Sequence, residues 1–293
     1  MLALFWTLLS SPAFAGLKVV ATTEDLASIA QAVGGADLEV SHIARGDSDP
    51  HFVDAKPSYM VKLASADLVV AVGMDLEVGW LPSLLVGARN PRVQPGSLGY
   101  LDASVDILAI DRPTGTIDRS RGDLHPQGNP HYWLDPEGGR SVARVLSARL
   151  ATLDPDHAAH YAENLAAFEL RLTEKEREWA AQMAPLKGAA VIGYHSTFNY
   201  LCARYELNVI GFVEPKPGIP PTPSHTLELA AAAKAAGVRL ILVEPYHGAR
   251  AATPIATASG AKVVVVPTSV GGLDGVVDYF GLFDRAVALL TAP

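Results

Sequence analysis

The sequence predicts an α/β protein made of two Rossmann-like lobes of parallel sheet, joined by a long rigid helix. Three observations support this prediction. Short apolar runs alternate with helical segments in the first part of the chain, which is the order that produces parallel sheets covered by helices. A long segment without glycine or proline follows, and the same alternation then begins again.

The first lobe is predicted to span residues 16–136. A buried strand over 17–23 leads into a helix that ends at Gly34 and Gly35, because glycine readily adopts the left-handed conformation found after a helix. The other predicted elements of this lobe are strands at 38–44, 67–73 and 105–110 and a short amphipathic helix at 57–66.

Residues 137–186 are predicted to link the lobes through a helical segment. Asp154 is a typical N-cap and Pro155 a typical first helical residue, and no glycine or proline follows until after Ala184. A helix of that length would extend roughly 45 Å at 1.5 Å per residue. We therefore expect a rigid connection between two lobes, with an ordinary bent helix as the alternative.

The second lobe is predicted to span residues 187–293 and to repeat the pattern of the first. Its predicted strands lie at 189–195, 208–214, 238–244 and 261–267, and its predicted helices at 197–207, 225–237, 251–260 and 278–292.

The chain begins with MLALFWTLLSSPAFA, residues 1–15, which we interpret as a signal peptide cleaved after Ala15. The apolar run is too short to cross a bilayer and ends in an A-x-A pattern; a buried N-terminal strand is the alternative. The residue directly after the cleavage position is Gly16 and not a cysteine, so we expect a soluble periplasmic protein without a lipid anchor. The single cysteine, Cys202, cannot form an internal disulfide.

The net charge of −8 and the absence of any stripe of lysine and arginine argue against a nucleic-acid partner. Ligands of parallel α/β sheets bind at the carboxyl ends of the strands. Four polar residues follow predicted strands or end the loop before the linking segment, and we expect them to face one cleft between the lobes: His51, His131, His195 and Glu244.

Three imidazoles and a carboxylate form a donor set typical of Zn²⁺. Pro50 directly precedes His51, and Pro130 directly precedes His131. A proline restricts the backbone beside each ligand, so less conformational entropy is lost when a metal binds. The histidines are far apart in the sequence, unlike those of a zinc finger, and a single histidine at a strand end is usually not a ligand.

Several segments resemble the periplasmic metal-binding proteins of zinc and manganese ABC transporters, the ZnuA/TroA type of cluster A-I. They are DPHFVDAKPSYMVKLASADLVVAVGMDLE, GDLHPQGNPHYWLDPEGG, VIGYHSTFNYLCARYEL, VEPKPGIPPTPSH and VEPYH. The resemblance covers the whole mature chain in order. It implies two α/β lobes joined by a long helix, a metal ion between them, and His51, His131 and His195 as ligands.

The sequence departs from this family at the fourth ligand. Members of the family usually carry an aspartate near the end of the last strand, but the matching segment in this chain, residues 262–272, reads KVVVVPTSVGG. Either water completes the site or another residue does. Glu244 is the first candidate, although it would equally suit a hydrogen bond to the turn at Pro245. Glu214 and His247 are weaker candidates. The loop at 111–130 contains one histidine, His125, which either delivers metal or caps the loop.

We therefore predict a carrier, not an enzyme, that captures Zn²⁺, with Mn²⁺ as the alternative metal. Imidazole nitrogen favours Zn²⁺ over Mn²⁺. The expected partner is an ABC permease in the inner membrane, and the expected oligomeric state is a monomer. The competing hypotheses are a secreted zinc hydrolase, because three histidines with an open position are also a catalytic arrangement, and an adhesin that uses metal only for stability.

Overall fold

The computed structural model describes residues 16–114, 122 and 124–292. The predicted signal peptide, residues 1–15, lies outside this part of the chain. Of the helices that the described part contains, none has both the length and the apolar character needed to cross a bilayer.

A four-stranded parallel sheet forms the centre of the first lobe. Its strands are ordered β2-β1-β3-β4. The inner strand β3, LVVA, is buried along its whole length, because helices cover both faces of such a sheet and favour continuous apolar runs. The elements are β1 (Leu17–Ala21), α1 (Glu24–Gly34), β2 (Leu38–His42), α2 (Pro57–Ser65), β3 (Leu68–Ala71), α3 (Leu81–Ala88) and β4 (Tyr100–Asp102).

The second lobe contains another parallel sheet, ordered β6-β5-β7-β8, which is the strand order of the first lobe repeated. In each sheet the strand order changes direction beside the first strand, and the carboxyl ends there form a crevice suited to ligands. The elements are β5 (Ala190–Gly193), α6 (Asn199–Arg204), β6 (Asn208–Phe212), α7 (Pro223–Ala235), β7 (Leu240–Val243), α8 (Thr253–Ser259), β8 (Lys262–Val265) and α9 (Tyr279–Thr291).

Two helices, α4 (Pro136–Leu153) and α5 (Ala158–Met183), lie between the lobes in sequence. At 26 residues, α5 is about 39 Å long, and it packs against α1 of the first lobe and α9 of the second. The predicted architecture of two α/β lobes joined by a long helix is confirmed.

The predicted start of the long helix at Asp154 is wrong. A single 3₁₀ turn occupies Pro155–His157, and α5 begins at Ala158. The Asp154 carboxylate accepts hydrogen bonds from the Tyr161 hydroxyl and the His157 ring. These side chains compete for the oxygen that the N-cap position was expected to use.

The predicted strand at 105–110 is also wrong, and helix α3 was not predicted. The fourth strand is Tyr100–Asp102, and the chain leaves the sheet there because the Asp102 carboxylate accepts hydrogen bonds from the backbone N–H and the hydroxyl of Ser104. Two of the apolar residues that suggested a strand lie on the surface, since Val105 is 68 % and Leu108 is 88 % exposed.

Direct hydrogen bonds join the two lobes beside the linking helices. The Trp133 indole N–H donates to the Thr268 carbonyl at 2.8 Å. The buried Asp25 carboxylate of α1 accepts from the Val270 N–H at 2.9 Å and from the Ser269 hydroxyl. One apolar cluster also runs through both lobes. These contacts oppose rotation of one lobe against the other.

Candidate metal centre

Three histidine side chains from distant parts of the sequence meet between the lobes. His51 lies in the loop after β2, His131 precedes α4, and His195 lies two residues after β5. One potential ligand atom from each lies within 4.8 Å of the other two. The ring centroids are 5.1 Å apart for His51 and His131, 5.6 Å for His51 and His195, and 5.5 Å for His131 and His195.

Each of the three rings is oriented by a hydrogen bond through its Nδ1 atom. His51 Nδ1 donates to the Asp49 carboxylate at 2.7 Å, His131 Nδ1 to the Asn129 carbonyl oxygen at 2.8 Å, and His195 Nδ1 to the Glu214 carboxylate at 2.9 Å. A proton on Nδ1 leaves the lone pair of neutral imidazole on Nε2. This arrangement is the usual one for metal-binding histidines.

The Nε2 atoms have almost no other partners. Those of His51 and His131 are buried and form no hydrogen bond. The Nε2 atom of His195 has a single long contact, 3.4 Å to the Ser196 hydroxyl. Buried polar atoms are normally hydrogen-bonded. Two buried Nε2 atoms without a partner, next to the Nε2 atom of His195, therefore indicate a binding site for a cation.

The loops that carry His51 and His131 share one local motif, an Asx residue followed by proline and histidine. Asp49 accepts from both the backbone N–H of His51, at 3.0 Å, and its ring. Asn129 does the same for His131, also at 3.0 Å from the backbone N–H. The side chain two residues earlier therefore fixes the position of the histidine backbone and the orientation of its ring together.

Both loops are anchored to the surrounding structure. The Trp80 indole N–H donates to the Pro50 carbonyl at 3.0 Å. The Asn129 amide donates to the Ser196 carbonyl at 2.8 Å, which ties the loop before α4 to the residue after His195. The site therefore lies at a junction that both lobes hold.

Burial favours the neutral, metal-binding form of the innermost imidazole. His131 is 1 % exposed, and burial, followed by the neighbouring His51 and His195, lowers its pKa well below the ordinary value for histidine. A cleft of about 240 Å³ opens beside the group and gives access to it. Its lining includes His51, Phe52, His195, Glu214, Tyr246 and His247.

Glu244, the predicted candidate for the fourth ligand, lies outside the group of three donor atoms. It is fully buried after β7, and neither of its oxygens has a well-formed hydrogen bond. Burial raises its pKa to about 8, which favours the protonated form, and a protonated carboxyl is a poor ligand for a cation.

Glu214 and His247, the weaker candidates for the fourth ligand, make other contacts. Glu214 orients His195 and also accepts from the Gly218 N–H at 3.1 Å. His247 stacks on Tyr194, with ring centroids 4.1 Å apart. His125 lies near the site, with its ring centroid 5.3 Å from that of His51.

Sequence reasoning did not assign the side chains that accept from Nδ1. Two of them were detectable, because Asp49-Pro50-His51 and Asn129-Pro130-His131 repeat the same three-residue pattern. Glu214 was not, because it is 19 residues from His195 and lies two residues beyond the end of the neighbouring strand β6.

Two of the relatives found by sequence are a putative metal-binding protein of Treponema pallidum and the manganese ABC transporter substrate-binding lipoprotein PsaA of Streptococcus pneumoniae. The first is 26 % identical over 86 % of this chain and 79 % of its own length. The second is 28 % identical over 64 % of this chain and 59 % of its own length. The match therefore spans less than two thirds of the length of PsaA.

Solved structures show the same fold. A crystal structure of ZnuA superimposes with a TM-score of 0.79 and 23 % identity, over 94 % of this chain and 98 % of that one. Residues 19–292 match the model of one protein family. That family is described as zinc-uptake complex component A, periplasmic. The resemblance seen in the sequence is confirmed, and the chain belongs to the family of the periplasmic component A of zinc-uptake complexes.

Proposed function

We propose that this protein captures Zn²⁺ on the outer side of the cytoplasmic membrane and delivers it to an ABC permease, with His51, His131 and His195 as metal ligands. The observation that carries the proposal is the convergence of three ligand atoms within 4.8 Å of one another. The Nδ1 hydrogen bonds support it, because they leave each Nε2 atom ready to bind a cation.

Zinc is the preferred metal in this proposal, and Mn²⁺ is the alternative. Imidazole nitrogen binds Zn²⁺ more tightly than Mn²⁺, whereas carboxylate oxygen suits Mn²⁺ better. The family description names zinc uptake, while the relative PsaA is named for manganese. Because the group of three donor atoms contains nitrogen only, the chemistry of the site favours zinc.

The proposed location is the periplasm, after removal of residues 1–15, and the proposed state is a monomer. The family description places its members in the periplasm. The proposed partner is the permease in the inner membrane, which would contact the rims of both lobes around the cleft. Phe52, which lines this cleft, is 67 % exposed and offers an apolar contact next to a ligand.

Release of the metal requires only a small movement in this proposal. The buried bonds of Asp25 and Trp133 across the lobes resist wide opening. A shift of one histidine by the permease would weaken the site, because a tetrahedral zinc site depends on bond lengths near 2.0–2.1 Å.

The test is zinc titration of purified His51→Ala and His195→Ala variants against a competing chelator. We expect each to bind zinc at least ~100-fold more weakly than the wild type, because loss of a ligand exceeds the 10- to 100-fold cost typical of losing its outer-shell partner. His160→Ala is the matched control, since that side chain is 60 % exposed and pairs with Asp37. Wild-type affinity in both site variants would refute the assignment.

Delivery of zinc to the permease is tested in cells that lack the chromosomal gene for this protein. The wild-type gene should restore growth under zinc limitation, whereas the His51→Ala gene should not. Ester or peptide turnover by the zinc-loaded protein, abolished by a chelator, would instead favour the hydrolase hypothesis, which the family match does not support.

A further inference from the structure

We infer that His125 supplies a fourth imidazole, so that the captured ion is held by four histidine nitrogens. This inference rests on the proposed function and extends it to the part of the site that Glu244 was expected to complete. The ring centroids of His125 and His51 are 5.3 Å apart, within the range of 5.1–5.6 Å that separates the other three rings.

His125 has the same hydrogen-bonding pattern as the other three histidines. Its ring donates to the backbone carbonyl of Met74, and its Nε2 atom is buried without a partner. The donor is therefore Nδ1, and the lone pair is on Nε2. An imidazole that merely capped the loop would have no reason to keep a second nitrogen buried and unsatisfied.

The Met74 carbonyl is held in a specially shaped turn. Gly73, Met74 and Asp75 have φ angles of 82°, 50° and 63°, a run of left-handed residues in which two are not glycine. Such strain persists only where the surrounding structure imposes it. The buried Glu77 carboxylate does so in this turn, because it accepts from the Val72 N–H at 2.6 Å and the Gly73 N–H at 3.1 Å.

The segment that carries His125 touches both lobes. In the first lobe, the His125 ring contacts the backbone carbonyl of Met74. Gly122 packs so closely on the second lobe that a Cβ atom there would lie 2.3 Å from the Pro217 carbonyl oxygen. His125 is thereby kept beside the cleft, although its nitrogen lies outside the group of three and its ring must move toward the ion to bind it.

Four neutral nitrogen donors have a consequence for metal choice. The site contains no anionic ligand, so Mn²⁺, which favours carboxylate and other oxygen donors, is disfavoured relative to Zn²⁺. His125 is then the residue that sets the preference, in place of the aspartate that the segment 262–272 lacks.

The experiment uses the full mature chain loaded with one equivalent of Zn²⁺. Zinc K-edge X-ray absorption should detect four imidazole nitrogens at about 2.0–2.1 Å in the wild type, and three imidazoles plus one oxygen in His125→Ala. The zinc affinity of His125→Ala should fall at least ~10-fold. His160→Ala, which removes an exposed histidine outside the cleft, should match the wild type in both measurements.

A second variant tests metal choice. His125→Asp replaces the fourth nitrogen by a carboxylate and should reduce the ratio of zinc to manganese affinity at least ~10-fold. If His125→Asp leaves that ratio unchanged, the residue does not touch the ion and the inference is wrong.

The outcomes separate this inference from the proposed function. Three imidazoles in the wild-type spectrum would overturn the role of His125, and this result does not depend on whether any variant folds. Loss of zinc binding in His51→Ala together with an unaffected His125→Ala would refute only the fourth ligand. Unaffected binding in His51→Ala and His195→Ala would refute the proposed function itself.

Discussion

The two sides of the candidate metal centre hold their histidines in different ways. On one side, His51 and His131 are oriented by the side chain two residues earlier in the same loop, Asp49 or Asn129. On the other, His195 is oriented by Glu214, which comes from the end of a neighbouring strand. The first arrangement is a local motif that a short peptide encodes, whereas the second exists only when the second sheet has formed.

Because of this difference, we expect removal of the acceptor to disturb different parts of the structure on the two sides. In the Asx-Pro-His loops one oxygen fixes both the backbone and the ring of the histidine. At His195 the carboxylate fixes the ring and, through the Gly218 N–H, the proline-rich turn at the edge of the cleft. Removing Asp49 or Asn129 therefore releases the loop that carries the histidine. Removing Glu214 releases the ring of His195 together with the turn at Gly218.

Among changes to the residues that orient the histidines, the largest effect is expected from removing these acceptors. Asp49→Ala and Glu214→Ala should each weaken zinc binding about 10- to 100-fold, the usual cost of losing an outer-shell partner. Competition titration measures this effect. Asp49→Asn copies the neutral acceptor of Asn129 and should retain most of the affinity. Equal losses in Asp49→Asn and Asp49→Ala would show that charge, not orientation, is what Asp49 supplies.

The next largest effect is expected for Glu244, and measuring it tests whether this residue is a metal ligand or a buried acid. Burial raises the pKa of Glu244 to about 8 in the folded protein, above its ordinary value in the unfolded chain. The folded state therefore retains a proton that the unfolded state loses, and the stability that depends on this group falls as the pH rises from about 4.5 to 8.

Glu244→Gln should accordingly unfold at a higher temperature than the wild type at pH 8 and at the same temperature below pH 4.5. Its zinc affinity at pH 7 should be unchanged. Thermal denaturation at both pH values and one titration are sufficient. A large loss of zinc affinity would identify Glu244 as a ligand and would contradict its role as a buried, neutral acid.

The smallest effect is expected for the prolines of the local motif. Pro50→Ala and Pro130→Ala leave the Asx acceptors in place and only widen the range of backbone conformations, which costs about 0.4–1 kcal/mol. Zinc affinity should fall about two- to fivefold, and calorimetry at fixed pH would measure it. A loss as large as that of Asp49→Ala would mean that the prolines, and not the hydrogen bonds, orient the rings.

The sequence predicted the fold well where the pattern depends on local chemistry. The alternation of apolar strands and helices predicted both sheets, because buried parallel strands require continuous apolar runs. The prediction failed at 105–110, where an apolar run is exposed at Leu108 after the turn that Asp102 forms. It failed again at Asp154, whose carboxylate is used by Tyr161 and His157.

The site was predictable in part for the same reason. Proline next to histidine marked His51 and His131, and the end of a predicted strand marked His195, as the family resemblance also did. His125 could not be assigned a role, because its partner is a backbone carbonyl, that of Met74, and a carbonyl has no sequence signature. Glu244 was proposed because it ends a strand, but strand position does not reveal whether a carboxyl is solvated enough to ionise.

The sequence alone determined the two-lobe α/β class, the family, and the two Asx-Pro-His loops, since apolar periodicity and three-residue motifs act over short distances along the chain. Only the tertiary structure decided that Glu214 orients His195, that Glu244 is fully buried, and that His125 lies beside His51. Coordination and desolvation depend on distances of a few ångströms between residues that are far apart in sequence, and only the packing of one lobe against the other sets those distances.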